Sequence, residues 1–220
     1  MDIISNKTIK VNYDMKKILL SLMGLVAVCS LSAQEHQKNI VGVRAGYAHS
    51  WATSYGVRSS AHHGYVIGVS DEVSLSQKSP FYFETGLNLI AKGYAINGYD
   101  DSSTSFNYVQ LPVGINYHIK ADKFTIEPAA GLYYAFGMGG KREYQGESVN
   151  VFSDGSTSRH DVGASVGLSA TISKFHFGVS FERSLMNIDK SDKIYGDQSP
   201  MIGYKKLKNN SIVLKAGINF

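Results

Sequence analysis

Between Val41 and Phe220, apolar side chains recur at every second residue over stretches of about ten residues, and polar, turn-forming segments separate these stretches. A period of two is that of a β-strand, whose side chains point alternately to opposite faces. Val41, Val43, Ala45 and Tyr47 mark the first stretch, Tyr65, Ile67 and Val69 the second, and Phe81, Phe83, Leu87, Leu89 and Ala91 the third. The fourth carries Val109, Leu111, Val113, Ile115 and Tyr117, and the fifth Phe124, Ile126, Ala130, Leu132, Tyr134 and Phe136. Val162, Ala164, Val166, Leu168, Ala170 and Ile172 follow, then Phe175, Phe177, Val179 and Phe181, and finally Ile212, Leu214, Ala216, Ile218 and Phe220. The pattern therefore predicts eight strands. No segment holds a helical stripe for long, and no apolar run after Ala33 is long enough for a transmembrane helix.

The connections alternate in length. LSQKSP, KADK and SK are short turns, whereas SWATSYGVRSSAHH, YAINGYDDSSTS, MGGKREYQGESVNVFSDGSTSR and NIDKSDKIYGDQSPMIGYKKLK read as long polar loops. Short turns on one rim and long loops on the other are the layout of an outer-membrane barrel, with turns in the periplasm and loops outside. The predicted fold is all-β: an eight-stranded antiparallel up-and-down transmembrane β-barrel.

The opposite parity decides between lipid and water as the surroundings. It is rich in glycine and carries Arg44, Glu84, Asn88, Lys92, Gln110, Asn116, Glu127, Asp161, Ser165, Glu182 and Lys215. Small and polar residues suit a crowded lumen, because an eight-stranded barrel has an interior only just wide enough for side chains. The apolar parity then faces lipid. Phe81, Tyr117, Phe124, Phe175 and Phe220 end their strands at the short-turn rim, which predicts an aromatic girdle at the membrane interface.

Charges enclosed in so narrow a lumen need partners, since each unpaired one carries a desolvation cost of about several kcal/mol. The expected network has Arg44 and Lys215 bridging Glu84, Glu127 and Glu182 in a polar plug that blocks a continuous water path.

The segment MKKILLSLMGLVAVCSLSAQ has two lysines, an apolar core from Ile18 to Val28 and small residues ending at Ala33, the plan of a secretory signal peptide. Residues 1–14 read as a mis-assigned upstream start, 15–33 as the signal peptide and 34–220 as the barrel domain. The single cysteine, Cys29, falls in the removed segment, so no disulfide is expected. Removing four lysines and two aspartates lowers the net charge from +4 to +2. That near-neutral charge, with no basic stripe and no zinc-finger spacing, excludes nucleic acid as a partner.

Candidate chemistry is sparse. Pro112 lies mid-strand and is expected at a tolerated bulge. His62 and His63, adjacent and without nearby Cys or carboxylates, read as part of a polar loop rather than a metal site. His176, Glu182 and Ser184 share one strand and parity, but His176 and Ser184 would be roughly 26 Å apart at ~3.3 Å per residue, too far for a triad. Asp100, Asp101 and Asp154 read as solvated loop charges rather than calcium ligands. No catalytic residue, metal or cofactor is expected.

The VGVRAGY opening strand, FETGLNL, NYVQLPVGINYHI and the terminal AGINF resemble the small outer-membrane barrel family common in Bacteroidota, often called PorT-like or porin-family proteins. NYVQLP is the most characteristic piece. The resemblance covers residues 38–220 and implies insertion by the barrel-assembly machinery, with Phe220 as part of its recognition signal. The expected protein resides in the cell outer membrane, contacts lipid and lipopolysaccharide, and has a non-enzymatic structural or surface-interaction role through its four long loops. The alternative is a narrow channel or a subunit of an outer-membrane export apparatus, with an unidentified secretion or surface partner.

Overall fold

A computed structural model of the chain describes residues 39–54, 57–76, 78–95, 103–144, 146–153, 155–190 and 206–220. The expected signal peptide, and Asp100, Asp101 and Asp154, lie outside them. Eight long strands form the wall: β1 (Asn39–Ser54), β3 (Ser60–Ser74), β4 (Phe81–Ala95), β5 (Ser103–Tyr117), β7 (Phe124–Tyr144), β9 (His160–Ile172), β10 (Phe175–Ser184) and β11 (Lys208–Asn219). Three short ones, β2 (Val57–Arg58), β6 (Ile119–Ala121) and β8 (Glu147–Asn150), pair with β1 or β7. Every pairing is antiparallel, and β11 returns to β1 from Gly42↔Asn219 to Thr53↔Lys208, closing an eight-stranded barrel without an edge.

Alternation sorts the faces as the sequence predicts. In β10 the exposed Phe175, Phe177, Val179 and Phe181 interleave with the buried His176 and Glu182, and in β1 the exposed Val41, Val43 and Tyr47 with the buried Arg44 and Ala48.

The long-connection rim departs from expectation. The loop expected over SWATSYGVRSSAHH is mostly strand, since β1 reaches Ser54 and β3 begins at Ser60, which puts His62 and His63 inside β3. Likewise β7 runs on to Tyr144 and folds back through Gly146 (φ 83°) to pair with β8. These strands rise above the apolar band, where an outward residue no longer needs to be apolar, so the alternation that reveals a strand fades. Pro112 sits at no bulge: Thr85↔Val113 and Asn88↔Gln110 keep one register across it, and the Thr85 hydroxyl donates to the Pro112 carbonyl at 3.2 Å. The irregularity of β5–β7 lies between Asn107 and Tyr108, where Met138 is the extra residue.

The mouth at this rim is filled. Val151 and Phe152 pack against the inward faces of Gly140 and Gly137, where only a hydrogen leaves room. They join the buried Tyr94, Phe106, Tyr108, Ile188 and Leu207 in one apolar cluster. Backbone bonds from Ser158 N–H to Ile188 C=O (2.7 Å) and Ile188 N–H to Leu207 C=O (3.0 Å) hold the covering segments.

Candidate functional site

Beneath the apolar mouth lies a first polar layer. Lys92 Nζ on β4 reaches Glu182 Oε2 on β10 at 2.7 Å, and Gln110 Nε2 donates to Glu182 Oε1 at 3.0 Å. Counted along the sheet, β4 and β10 stand four strands apart in a ring of eight, so this pair spans the full width of the lumen. The Lys92 ammonium also lies 4.3 Å from the centre of the Tyr133 ring. Asp161 takes the Ser184 hydroxyl at 2.5 Å and the Asn209 amide at 3.4 Å. Lys92, Glu182, Asp161 and Ser184 are all at most 3% exposed, a depth at which an unpaired charge would be untenable.

A second layer closes the short-turn end. Glu72 Oε2 lies 2.9 Å from His118 Nε2, whose ring stacks on Tyr82 with centroids 3.8 Å apart. Arg44 Nη2 donates to Asn219 Oδ1 at 2.6 Å and stands 3.9 Å from Glu72. Across the lumen, Glu127 accepts from Ser169 at 3.0 Å and lies 3.4 Å from His176 Nδ1. Between the layers remains a cavity of about 80 Å³ that Ser70, Glu84, Asn88, Asn116 and Lys215 help to line. That is room for about two or three waters among several polar partners.

The outer wall is an apolar band bounded by aromatic rings. Phe81, Tyr117, Phe124, Phe175 and Phe220 are all exposed at the short-turn rim, with Phe81 and Tyr117 edge to face at 4.9 Å. A second aromatic zone, absent from the sequence reading, lies toward the other rim: Tyr47, Trp51, Tyr65 and Phe181 on one side, Tyr134 and Phe136 on the other, mixed with His49, His63 and His160.

A family model described as outer membrane protein beta-barrel domain matches residues 32–190. The chain belongs to that family. It is an outer-membrane protein, and the exposed apolar band is the lipid-facing wall the location requires. No curated protein matches it. Among solved structures, Ail, the attachment invasion locus protein of Yersinia pestis crystallised with the heparin analogue sucrose octasulfate, is 14% identical with a TM-score of 0.45, covering 83% of this chain and 99% of its own. Neisserial surface protein A is 10% identical with a TM-score of 0.48, over 82% and 97%. The outer membrane enzyme PagL is 12% identical with a TM-score of 0.45, over 81% and 98%. At these values none speaks to activity.

Within this outer-membrane barrel the five charges expected to form one network are divided. Arg44 meets Glu72 instead of Glu84, Glu127 meets His176, and Glu182 meets Lys92. Glu84 and Lys215 face the central cavity rather than bridging the walls. The expected pairing placed side chains by height along single strands, but strand tilt and stagger decide which residues meet across a barrel. Glu72, His118 and Tyr82 had a signal available, as inward-parity residues beside the short turns. Ser184 and Glu182 share a strand with His176, yet Ser184 serves Asp161 and His176 serves Glu127, so the three form no triad.

Proposed function

We propose that this outer-membrane protein is a closed, non-enzymatic barrel with a structural or surface-interaction role exerted through its long-connection rim, which faces out of the cell. The girdle of Phe81, Tyr117, Phe124, Phe175 and Phe220 then lies at the periplasmic membrane boundary. The observation that carries this reading is the Lys92–Glu182 pair spanning opposite walls directly beneath the apolar mouth cluster. A water path would have to break a buried ion pair and wet an apolar plug, both costly steps. The non-enzymatic part is supported by the engagement of the buried carboxylates with structural partners: Glu72 with His118, Glu127 with Ser169 and His176, Glu182 with Lys92.

The PorT-like resemblance of NYVQLP favours a second reading, a narrow channel or a subunit of an export apparatus. Planar-bilayer recording separates the two. The closed barrel is expected to give no steady conductance, and a reproducible open level from purified protein would put the channel first. Cross-linking in native outer membranes that repeatedly captures a secretion component would put the export role first.

A further inference from the structure

The outer wall carries a group of side chains that neither the closed lumen nor an ordinary lipid-facing band explains. His49 and His63 stand directly opposite each other on β1 and β3, with ring centroids 5.3 Å apart, and both point outward. The Tyr47 hydroxyl meets His63 Nδ1, and the two rings stack at 5.8 Å. One rung higher, the exposed Arg58 of β2 lies 4.2 Å from the centre of the Trp51 ring, and Trp51 in turn neighbours Phe181 at 6.1 Å. Arg183, also exposed, pairs with Asn210, which pairs with Trp51, so a second guanidinium belongs to the same rung. Two guanidiniums and two imidazoles thus gather at the upper margin of an apolar band, and no carboxylate lies on these two rungs of β1, β10 and β11.

Directly below, the wall carries a shallow, open apolar depression across β1, β11, β10, β9 and β7, bordered above by Tyr47, Leu214, Val179 and Leu168 and floored by Ala45, Ala216 and Ala170 beside Phe177. Successive rungs connect it to the polar group: Tyr47↔Leu214↔Val179 on its upper border, His49↔Ile212↔Phe181 above, and Trp51↔Asn210↔Arg183 above that. Tyr47 belongs to both, lining the depression with its ring and touching His63 with its hydroxyl.

We infer that this is a binding site for one lipid of the outer leaflet, with its phosphorylated headgroup lying across His49, His63 and Arg58, Arg183 standing at its far edge, and an acyl chain lying in the depression below Tyr47. Guanidinium matches phosphate in charge and donor geometry and imidazole adds N–H donors, and an acyl chain matches a depression walled by Phe, Val and Leu. The phosphorylated lipid of the outer leaflet is lipid A, the anchor of lipopolysaccharide, and it is the occupant we assign. That assignment rests on the outward orientation of the long-connection rim proposed above.

Native mass spectrometry of the folded mature protein in detergent micelles tests the site, using bis-phosphorylated lipid A, dephosphorylated lipid A and phosphatidylglycerol as probes. Lipid A is expected to be retained about tenfold more than its dephosphorylated form, the effect of one or two charge-assisted hydrogen bonds. The triple variant H49Q/H63Q/R58Q should bring lipid A most of the way down to the dephosphorylated level, Arg183 alone holding the remainder. Arg58→Gln alone, at an exposed position that does not hold the barrel together, should lose a part of that preference, and heat-dependent gel mobility reports that each variant is folded. Equal retention of dephosphorylated lipid A, equal retention of phosphatidylglycerol, or unchanged binding by the triple variant would overturn the inference. Micelle binding does not depend on orientation in the cell, so a failure of the outward-rim reading registers separately, in the accessibility of the rim on intact cells.

Discussion

At the residue scale, the lumen is governed by the cost of leaving a charge alone. Glu182 is held by Lys92 and Gln110, whereas Lys215 faces a cavity that can be hydrated. Truncating one partner of a buried pair leaves the other uncompensated, which costs about 3–5 kcal/mol, while replacing both by groups of similar volume costs far less. Lys92→Met should therefore lower unfolding stability in lipid vesicles by about that amount, and Lys92→Met with Glu182→Gln should recover a large part of it. Lys215→Met is expected to cost less than Lys92→Met in the same denaturant titration. Equal losses for the two lysines would mean that the cross-lumen pair does not hold the walls together. For Arg44→Ala, rescue is expected from Glu72→Gln and not from Glu84→Gln, because Glu72 is the carboxylate it approaches.

At the element scale, the same exposure means different things at different heights. Val166 on β9 is 58% exposed and Val149 on β8 is 54% exposed, yet the first lies within the lipid-facing band and the second on a hairpin beyond it. Val166→Arg should destabilise the barrel by about 2–4 kcal/mol, the cost of Arg near a bilayer midplane, and Val149→Arg by close to none. Denaturant unfolding of vesicle-inserted variants reads both, and a harmless Arg at 166 would invert the inside–outside assignment. Strand packing imposes its own limit: a Cβ on Gly131 would sit 2.5 Å from the Val113 carbonyl and 2.7 Å from the Gly114 Cα, both backbone. Gly131→Ala is accordingly expected to destabilise by separating β5 from β7, with loss of the heat-dependent mobility shift as its sign.

At the scale of the whole molecule, closure and orientation are the quantities that matter. Twelve residue pairs from Gly42↔Asn219 to Thr53↔Lys208 join the last strand to the first, so the seam where the barrel closes is fully paired. With the short turns in the periplasm, an epitope tag inserted at Ser153 should be labelled on intact cells, and a tag after Lys78 only after the outer membrane is breached. The reverse labelling would turn the barrel over, and with it the side on which a partner could meet the exposed β8 hairpin.

The sequence by itself determined the number of wall strands, their antiparallel order and which parity faces lipid. Each of these is written in a period of two over adjacent residues, as in Phe175, Phe177, Val179 and Phe181 against His176 and Glu182. Strand extension into the long-connection rim was not legible, because above the lipid an outward His63 or Thr53 is as acceptable as a valine and the alternation disappears. Nor could the pattern say that Lys92 meets Glu182, ninety positions away, or that His49 faces His63 while Trp51 gathers Arg58. Periodicity fixes the face on which a side chain stands; its partner depends on register, tilt and stagger, which exist only once eight strands have closed on one another.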